Sequence, residues 1–399
     1  MSQTSQDVYI VETIRTPVGK APRGMFSKTR PDDLLAHTLR EIMARNPQLD
    51  PHEIGDVVIG CAMPEAEQGM NVARIALLLA GLPETVPGQT INRFCSSGLQ
   101  SIAIAANAIA SGQINAAIAG GTESMSMVPM MGHKVAMNPK VFENEEHLGI
   151  AYGMGITAEK VAEQWDISRE AQDEFAYNSH QKAIRAIDSG QFADEIVPYT
   201  IESRLPDTEH AATIIKTRTV DTDEGPRRDT SLEALSKLRP VFKATGSVTA
   251  GNSSQMSDGA AAVLLVNEDM LKKYNLTPIG KFRTFAVAGV PPEIMGIGPI
   301  KAIPKALELA GLKQDDLDWI ELNEAFAAQS LAVLKDTGLD PEKVNPLGGA
   351  IALGHPLGTT GAKLTATTLH GLRRTGGKYG MVTMCIGTGM GAAGIIEAL

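Results

Sequence analysis

The sequence predicts an α/β fold of two similar halves with a less regular segment inserted between them, and three observations predict it. Strand-like and helix-like segments alternate through the first third of the chain and again after Gly259. Each of those regions carries a Gly- and Ala-rich strand–turn–helix unit in similar order, which reads as internal duplication in topology rather than in residue identity. The stretch between them is rich in Met, Glu and Lys and loses the rhythm. At 399 residues the chain exceeds one ordinary domain.

Taken in order, residues 8–12 (VYIVE) are an apolar, β-branched strand. Residues 32–46 set Leu34, Leu35, Thr38, Leu39, Ile42 and Met43 on or near one face, the pattern of an amphipathic helix. Residues 57–61 are a strand, 71–80 a helix, 89–95 a strand, 98–110 a helix and 116–120 a short buried strand. Helices between successive strands predict a largely parallel sheet. Residues 1–124 thus form the first half, completed by about residues 248–275.

Residues 125–247 are the insertion, with a long amphipathic helix over 168–189 and polar loops such as ESRLPDTEH at 202–210. Five methionines at positions 125, 127, 130, 131 and 137 are either core or subunit contact, or an adaptable apolar wall. Residues 276–399 form the second half. After Gly259, 260–267 is strand-like and completes the first half; in the second, 281–289 is strand-like, 303–312 helical, 318–322 a strand, 325–337 and 361–374 helices, and 381–385 and 393–399 closing strands.

Composition excludes several classes. A 43% hydrophobic content without any apolar run of membrane length implies a soluble protein with a sizeable core and no membrane span. The N-terminal stretch MSQTSQDVYIVETIRTP has no basic flank and no apolar signal core, and the C-terminal IIEAL is no targeting address, so a cytoplasmic location is expected. A formal charge of −10 argues against nucleic acid as partner, although a local basic patch or helix N-terminus still accommodates an anionic ligand. Three scattered cysteines form neither a disulfide framework nor a paired zinc motif.

Three segments carry the chemistry. In NRFCSSGLQ, Cys95 stands at a strand–helix junction, where a helix N-terminus favours thiolate and free N–H groups hold a developing oxyanion. In GGAIALGHPLGTTG, His355 lies among five glycines, whose density implies close backbone approach or unusual backbone angles. In MCIGTGMG, Cys385 precedes a second Gly-rich turn containing Gly387. Two sulfurs and an imidazole suit a nucleophile, a base and a proton carrier. Metal binding by the same three residues is disfavoured, because their spacings are not those of compact zinc modules.

Together with NEAFAAQ at 323–329, these segments resemble the motifs of the thiolase family, in the family's order and across the whole chain. The resemblance implies a duplicated αβαβα layered core and an inserted loop domain covering coenzyme A. It also implies CoA as co-substrate with no metal or organic prosthetic group, and a homodimer or homotetramer. A β-oxidation dehydrogenase/hydratase is a further partner it suggests. By position, it implies Cys95 as acyl-accepting nucleophile, His355 as the imidazole that activates it, and Cys385 as general acid/base. Asn323 with His355 matches one oxyanion hole, and the backbone of Cys95 and Gly387 the other. Met154, Ser254, Met295, Ala325 and Phe326 fall on positions lining the pantetheine and reaction pocket; Arg227 matches a nucleotide-contacting arginine, or is a solvated loop charge.

Three departures refine this expectation. Gly153 stands where acetoacetyl-specific relatives carry histidine, and NRFCSS looks like degradative members, so the resemblance implies a 3-ketoacyl-CoA thiolase of β-oxidation rather than a biosynthetic acetyl-CoA acetyltransferase. A Cys–His thioester hydrolase and an inactive lipid-binding relative are the readings from other classes. Thr388 replaces a family glycine and is strained if that position requires positive φ.

Overall fold

A computed structural model describes residues 6–207, 209–210 and 212–399. Residues 1–5, the start of the stretch read for a signal, and position 208 of ESRLPDTEH lie outside the described residues. The chain runs through β1 (Tyr9–Arg15), β2 (Gly19–Lys20), α1 (Pro31–Ala44), β3 (Asp56–Gly60), α2 (Val72–Ala80), β4 (Gly88–Ile91), α3 (Ser97–Ala110) and β5 (Ala116–Ser124). Next come α4 (Met154–Gln164), α5 (Arg169–Asp188), β6 (Tyr199–Asp207), β7 (Ala212–Val220), α6 (Leu232–Ser236), β8 (Ser257–Val266) and α7 (Glu268–Tyr274). The remainder comprises β9 (Gly280–Gly289), α8 (Gly298–Ala310), β10 (Trp319–Leu322), α9 (Ala327–Thr337), α10 (Ala350–Leu353), α11 (Leu357–Thr375), β11 (Tyr379–Ile386) and β12 (Met390–Ala398). No helix among the described residues is long and apolar enough to cross a membrane.

The duplication is visible in the pairing. In the first half the strands run β1-β8-β5-β3, with antiparallel, antiparallel and parallel neighbours; in the second, β9-β12-β11-β10 repeats that sequence of directions. The halves meet where β1 pairs antiparallel with β9, at Tyr9↔Lys281 and Ile10↔Gly280. Alternating side chains then build five layers, αβαβα. Val57 and Ile59 join α1 and α2 in one core, whereas Val58 between them faces a second core with Leu99 and Ile102 of α3 and Leu369 of α11. That second core also holds Val382, Met384 and Ile396 from the other half, so α3 and α11 lie between the two halves of the sheet. Met381, Ala393 and Ile395 point outward to Ala302, Ile303 and Ala306 of α8.

Close approach of the central helices requires glycine. A Cβ on Gly361 would stand 2.1 Å from the Leu99 backbone nitrogen, and one on Gly98 2.7 Å from the Gly358 carbonyl. Both motif segments, NRFCSSGLQ and GHPLGTTG, are thereby held at one place by the same helix contact.

Four expectations need correction. The sheet is mixed rather than largely parallel: β10/β11, β5/β3 and β3/β4 are its parallel pairs, and the others along its path are antiparallel. Both faces are covered by helices, so its antiparallel strands carry the continuous apolar runs that usually mark parallel sheets. The strand expected to reach Cys95 ends at Ile91, and Cys95 lies in a 3₁₀ turn over Phe94–Ser96 that opens α3. The helix expected from residue 325 starts at Ala327, because the Asn323–Phe326 segment instead pairs with the chain before β8 (Ser254 N donates to Ala325 O, 2.9 Å; Ala327 N to Asn252 O, 2.9 Å). Most of ESRLPDTEH is strand β6, paired antiparallel with β7, and not a polar loop.

Candidate active site

Cys95 is buried at the start of α3 beside Ala62, Met125 and Leu357. Phe94 before it has φ +44, a left-handed turn that swings the chain from β4 into the helix. The Gly387 N–H and the N–H of Cys95 itself point at its sulfur. Burial nevertheless pushes the Cys95 thiol up to about 11, against those two N–H groups. The expectation that the helix terminus favours thiolate is therefore corrected: desolvation outweighs it, and the resting group is a thiol that needs a base.

Cys385, at the end of β11, is fully buried and lies close enough to Cys95 that the two anions would repel; burial first, then Cys95, raises its thiol well above the ordinary range. It packs in one cluster with Met295, Ala325, Phe326, Ala158 and Val248, against which Met154 rests. A Cβ on Gly387 would meet Met154 Sδ at 3.6 Å. Five of the expected residues, Cys385, Met154, Met295, Ala325 and Phe326, thus share one wall, and Gly387 joins it to Cys95.

His355 follows Gly354, whose φ of +87 turns the chain between α10 and α11. Its imidazole is buried, with Nε2 3.3 Å from Asn323 Nδ2 and Nδ1 2.6 Å from Thr360 Oγ1. Its backbone N–H donates to Ser257 Oγ at 3.1 Å, so β8 of the first half anchors a loop of the second. Burial and the Lys363 ammonium lower the His355 pKa to about 3, leaving a neutral ring. Asn323 is held by its backbone N–H on Thr383 O at 2.9 Å, while its Oδ1 is buried without a partner among the described residues. No hydrogen bond joins Cys95 directly to His355 among the described residues.

Ser254 is half-buried beside this cluster, its backbone bonded to Ala325 O. Arg227 stands apart: its side chain is 62% exposed, 3.6 Å from Asp229, and makes none of the contacts around the two sulfurs. Its backbone N–H donates to Nδ1 of His180. The methionines divide: Met125 packs against Cys95, whereas Met130, Met131 and Met137 are exposed in the single chain. Among the described residues no group of three or more His, Cys, Asp or Glu side chains is arranged to hold a metal ion.

Sequence reasoning missed Glu123 and Thr360. Glu123 is buried at the end of β5 and accepts N–H groups of Ala62 (2.8 Å), Met63 (3.2 Å) and Gly358 (2.8 Å) and the Gln68 amide (2.5 Å), tying the start of α11 to the loop after β3. Burial raises its pKa, and those donors oppose the rise. A lone acid closing the small-residue run AAIAGGTES was its only signal.

Thr388, by contrast, meets the expectation of strain: its φ is +69, and its hydroxyl donates to Gly387 O at 2.5 Å. Left-handed backbone at a β-branched residue costs about 1–2 kcal/mol.

Residues 8–269 match the family model for the thiolase N-terminal domain and residues 276–398 that for the thiolase C-terminal domain. The chain is 52% identical over 392 residues to the 3-ketoacyl-CoA thiolase of Bacillus subtilis (strain 168), covering 98% of this chain and 99% of the relative. It is 48% identical over 395 residues to the peroxisomal 3-ketoacyl-CoA thiolase A of Mus musculus, covering 99% and 91%. Among solved structures, the acetyl-CoA acetyltransferase of Bacillus anthracis superposes with a TM-score of 0.89 at 41% identity over the full length of both chains. The dimeric peroxisomal thiolase of Saccharomyces cerevisiae gives 0.88 at 43% identity, covering 99% and 98%.

Proposed function

This chain belongs to the thiolase family, and on that premise we propose that it cleaves 3-ketoacyl-CoA with CoA, giving acetyl-CoA and a shortened acyl-CoA through an acyl-Cys95 intermediate. The observation that supports the reading is that Cys95, near Cys385 and the Gly387 N–H, packs against Leu357, two residues after His355, whose ring pairs with Asn323.

The chemistry follows from the protonation states. His355 is neutral and takes the Cys95 proton, since the buried thiol does not ionise by itself. The thiolate attacks the 3-keto carbon, and the Cys95 and Gly387 N–H groups hold the resulting alkoxide. That intermediate collapses by breaking the C2–C3 bond. The electron pair goes to the acetyl-CoA enolate, which His355 and Asn323 stabilise and which takes a proton at C2 from Cys385. Acetyl-CoA leaves. The Cys385 thiolate then removes the proton of incoming CoA, whose sulfur attacks the acyl-Cys95 thioester. Cys95 departs as thiolate and recovers its proton from His355. The bond changes balance, and no external oxidant or reductant is used.

CoA acts as co-substrate in this scheme, with the segment between β5 and β8 lying over it. Met154, Met295, Ala325 and Phe326 supply apolar walls, Ser254 a polar flank and Arg227, exposed beside Asp229, a cation for phosphate. The protein is proposed to work as a homo-oligomer in the cytoplasm, a dimer being the state named for the yeast neighbour. Gly153 brings no side chain beside Met154, which rests against the Cys385 cluster, and this supports room for a chain longer than acetoacetyl. The deciding experiment is kcat/KM across acetoacetyl-CoA and medium- and long-chain 3-ketoacyl-CoAs, with and without free CoA. Cleavage that requires CoA and favours longer chains is expected. Strong preference for acetoacetyl-CoA would overturn the degradative reading, and turnover without CoA would indicate a hydrolase.

A further inference from the structure

We propose that Thr360 is a positioning residue that fixes the resting tautomer of His355, its hydroxyl accepting Nδ1–H and donating to Pro356 O, so that Nε2 is left unprotonated. The inference rests on the thiolase reading for its kinetic consequence but not for its geometry.

Three contacts interlock. Thr360 Oγ1 lies 2.6 Å from His355 Nδ1 and 3.2 Å from the carbonyl of Pro356, which caps the start of α11 one turn back. A hydroxyl carries one proton but two lone pairs, and a carbonyl only accepts. With its proton on Pro356 O, Thr360 therefore serves Nδ1 as an acceptor, and Nδ1 carries the hydrogen. On the other side of the ring, Asn323 Nδ2 stands 3.3 Å from Nε2. An amide NH₂ only donates, so Nε2 accepts. Both neighbours select the same tautomer.

The choice of partner also matters. Histidines that work as bases are often oriented by a carboxylate, which stabilises the imidazolium as well as the tautomer. Thr360 orients without adding charge. When Nε2 takes the Cys95 proton, Nδ1–H keeps its acceptor, and only the Asn323 amide bond to Nε2 is given up. The ring is thus pre-set to receive a proton and, holding it weakly, to return it. Thr360 is buried, so water does not substitute freely for the hydroxyl.

The test uses full-length protein labelled with ¹⁵N-histidine, with His355→Asn assigning the His355 signals among the eight histidines. Wild type is expected to show a protonated Nδ1 and an unprotonated Nε2. Thr360→Val, which keeps the shape, should lose this single-tautomer pattern and lower kcat for thiolysis roughly ten- to a hundred-fold, the range for partners that orient a working imidazole at metal sites, with KM little changed. Thr360→Ser should restore both, and Thr360→Ala serves if the valine variant does not fold. Protonated Nε2 in wild type, or a valine variant with unchanged tautomer and kcat, would overturn the proposal. A tautomer that responds as expected in a protein inert toward every 3-ketoacyl-CoA would instead sink the functional reading alone.

Discussion

Replacing Asn323 by alanine is expected to separate the two halves of the proposed reaction. Asn323 is 1% exposed, contributes Nδ2 at 3.3 Å from His355 Nε2, and leaves Oδ1 without a partner. Losing one hydrogen bond costs about 0.5–1.5 kcal/mol of stability, while removing an orphaned buried oxygen returns about 1–3 kcal/mol. The two nearly cancel, so folding should be little affected. The catalytic effect is different, because in the proposed reaction the amide serves the enolate, which exists only after C–C cleavage. Deleting one donor of an oxyanion hole costs about 3–4 kcal/mol, or roughly 10²–10³ in kcat. Exchange of labelled CoA into a saturated acyl-CoA passes through acyl-Cys95 but forms no enolate, and this exchange should persist within a few-fold. Measuring thiolysis by loss of 3-ketoacyl-CoA absorbance and exchange by label uptake on one preparation gives both numbers. Equal loss of the two activities, or thiolysis within about ten-fold of wild type, would refute the enolate role.

Other substitutions probe the remaining parts. Cys95→Ser should abolish the acyl adduct seen by mass spectrometry, whereas Cys385→Ser should still acylate at Cys95 while C–C cleavage is crippled; label on Cys385 would reverse the two assignments. Without substrate, alkylation of Cys95 should quicken as pH rises toward about 11, because the attacking species is the thiolate. His355 is held neutral with a folded pKa of about 3, below its ordinary value near 6.5, so the unfolded chain binds more protons between those values. Stability should therefore fall as pH drops through that window, and His355→Asn should flatten the decline in denaturant titrations. Thr388→Gly relieves about 1–2 kcal/mol of backbone strain but adds about 0.5–1 kcal/mol of unfolded-state entropy, so a small net gain in stability is expected by chemical denaturation.

The insertion shows where local pattern fails. The exposed faces of β6 and β7 give no apolar alternation, and ESRLPDTEH reads as loop because its strand pairing is satisfied only by β7. Likewise NEAFAAQ has helical propensity throughout, yet its first four residues are drawn out of the helix by hydrogen bonds to Asn252 and Ser254, seventy residues earlier in the chain and invisible to any local window.

By itself the sequence determined the alternation of strands and helices, whose burial patterns are local, and it singled out the candidate reacting groups. Cys95, His355 and Cys385 are legible because thiols and an imidazole among glycines are chemically unusual wherever they occur. Only the tertiary structure decided their state. The helix terminus at Cys95 promised a thiolate, but solvation is a property of everything packed around a group, and the surrounding layers desolvate the sulfur enough to keep it protonated. Glu123, Thr360 and Ser257 escaped notice for the same reason. Each is an ordinary polar residue made consequential by a partner across the duplicated core, or one turn away, that no periodicity reveals.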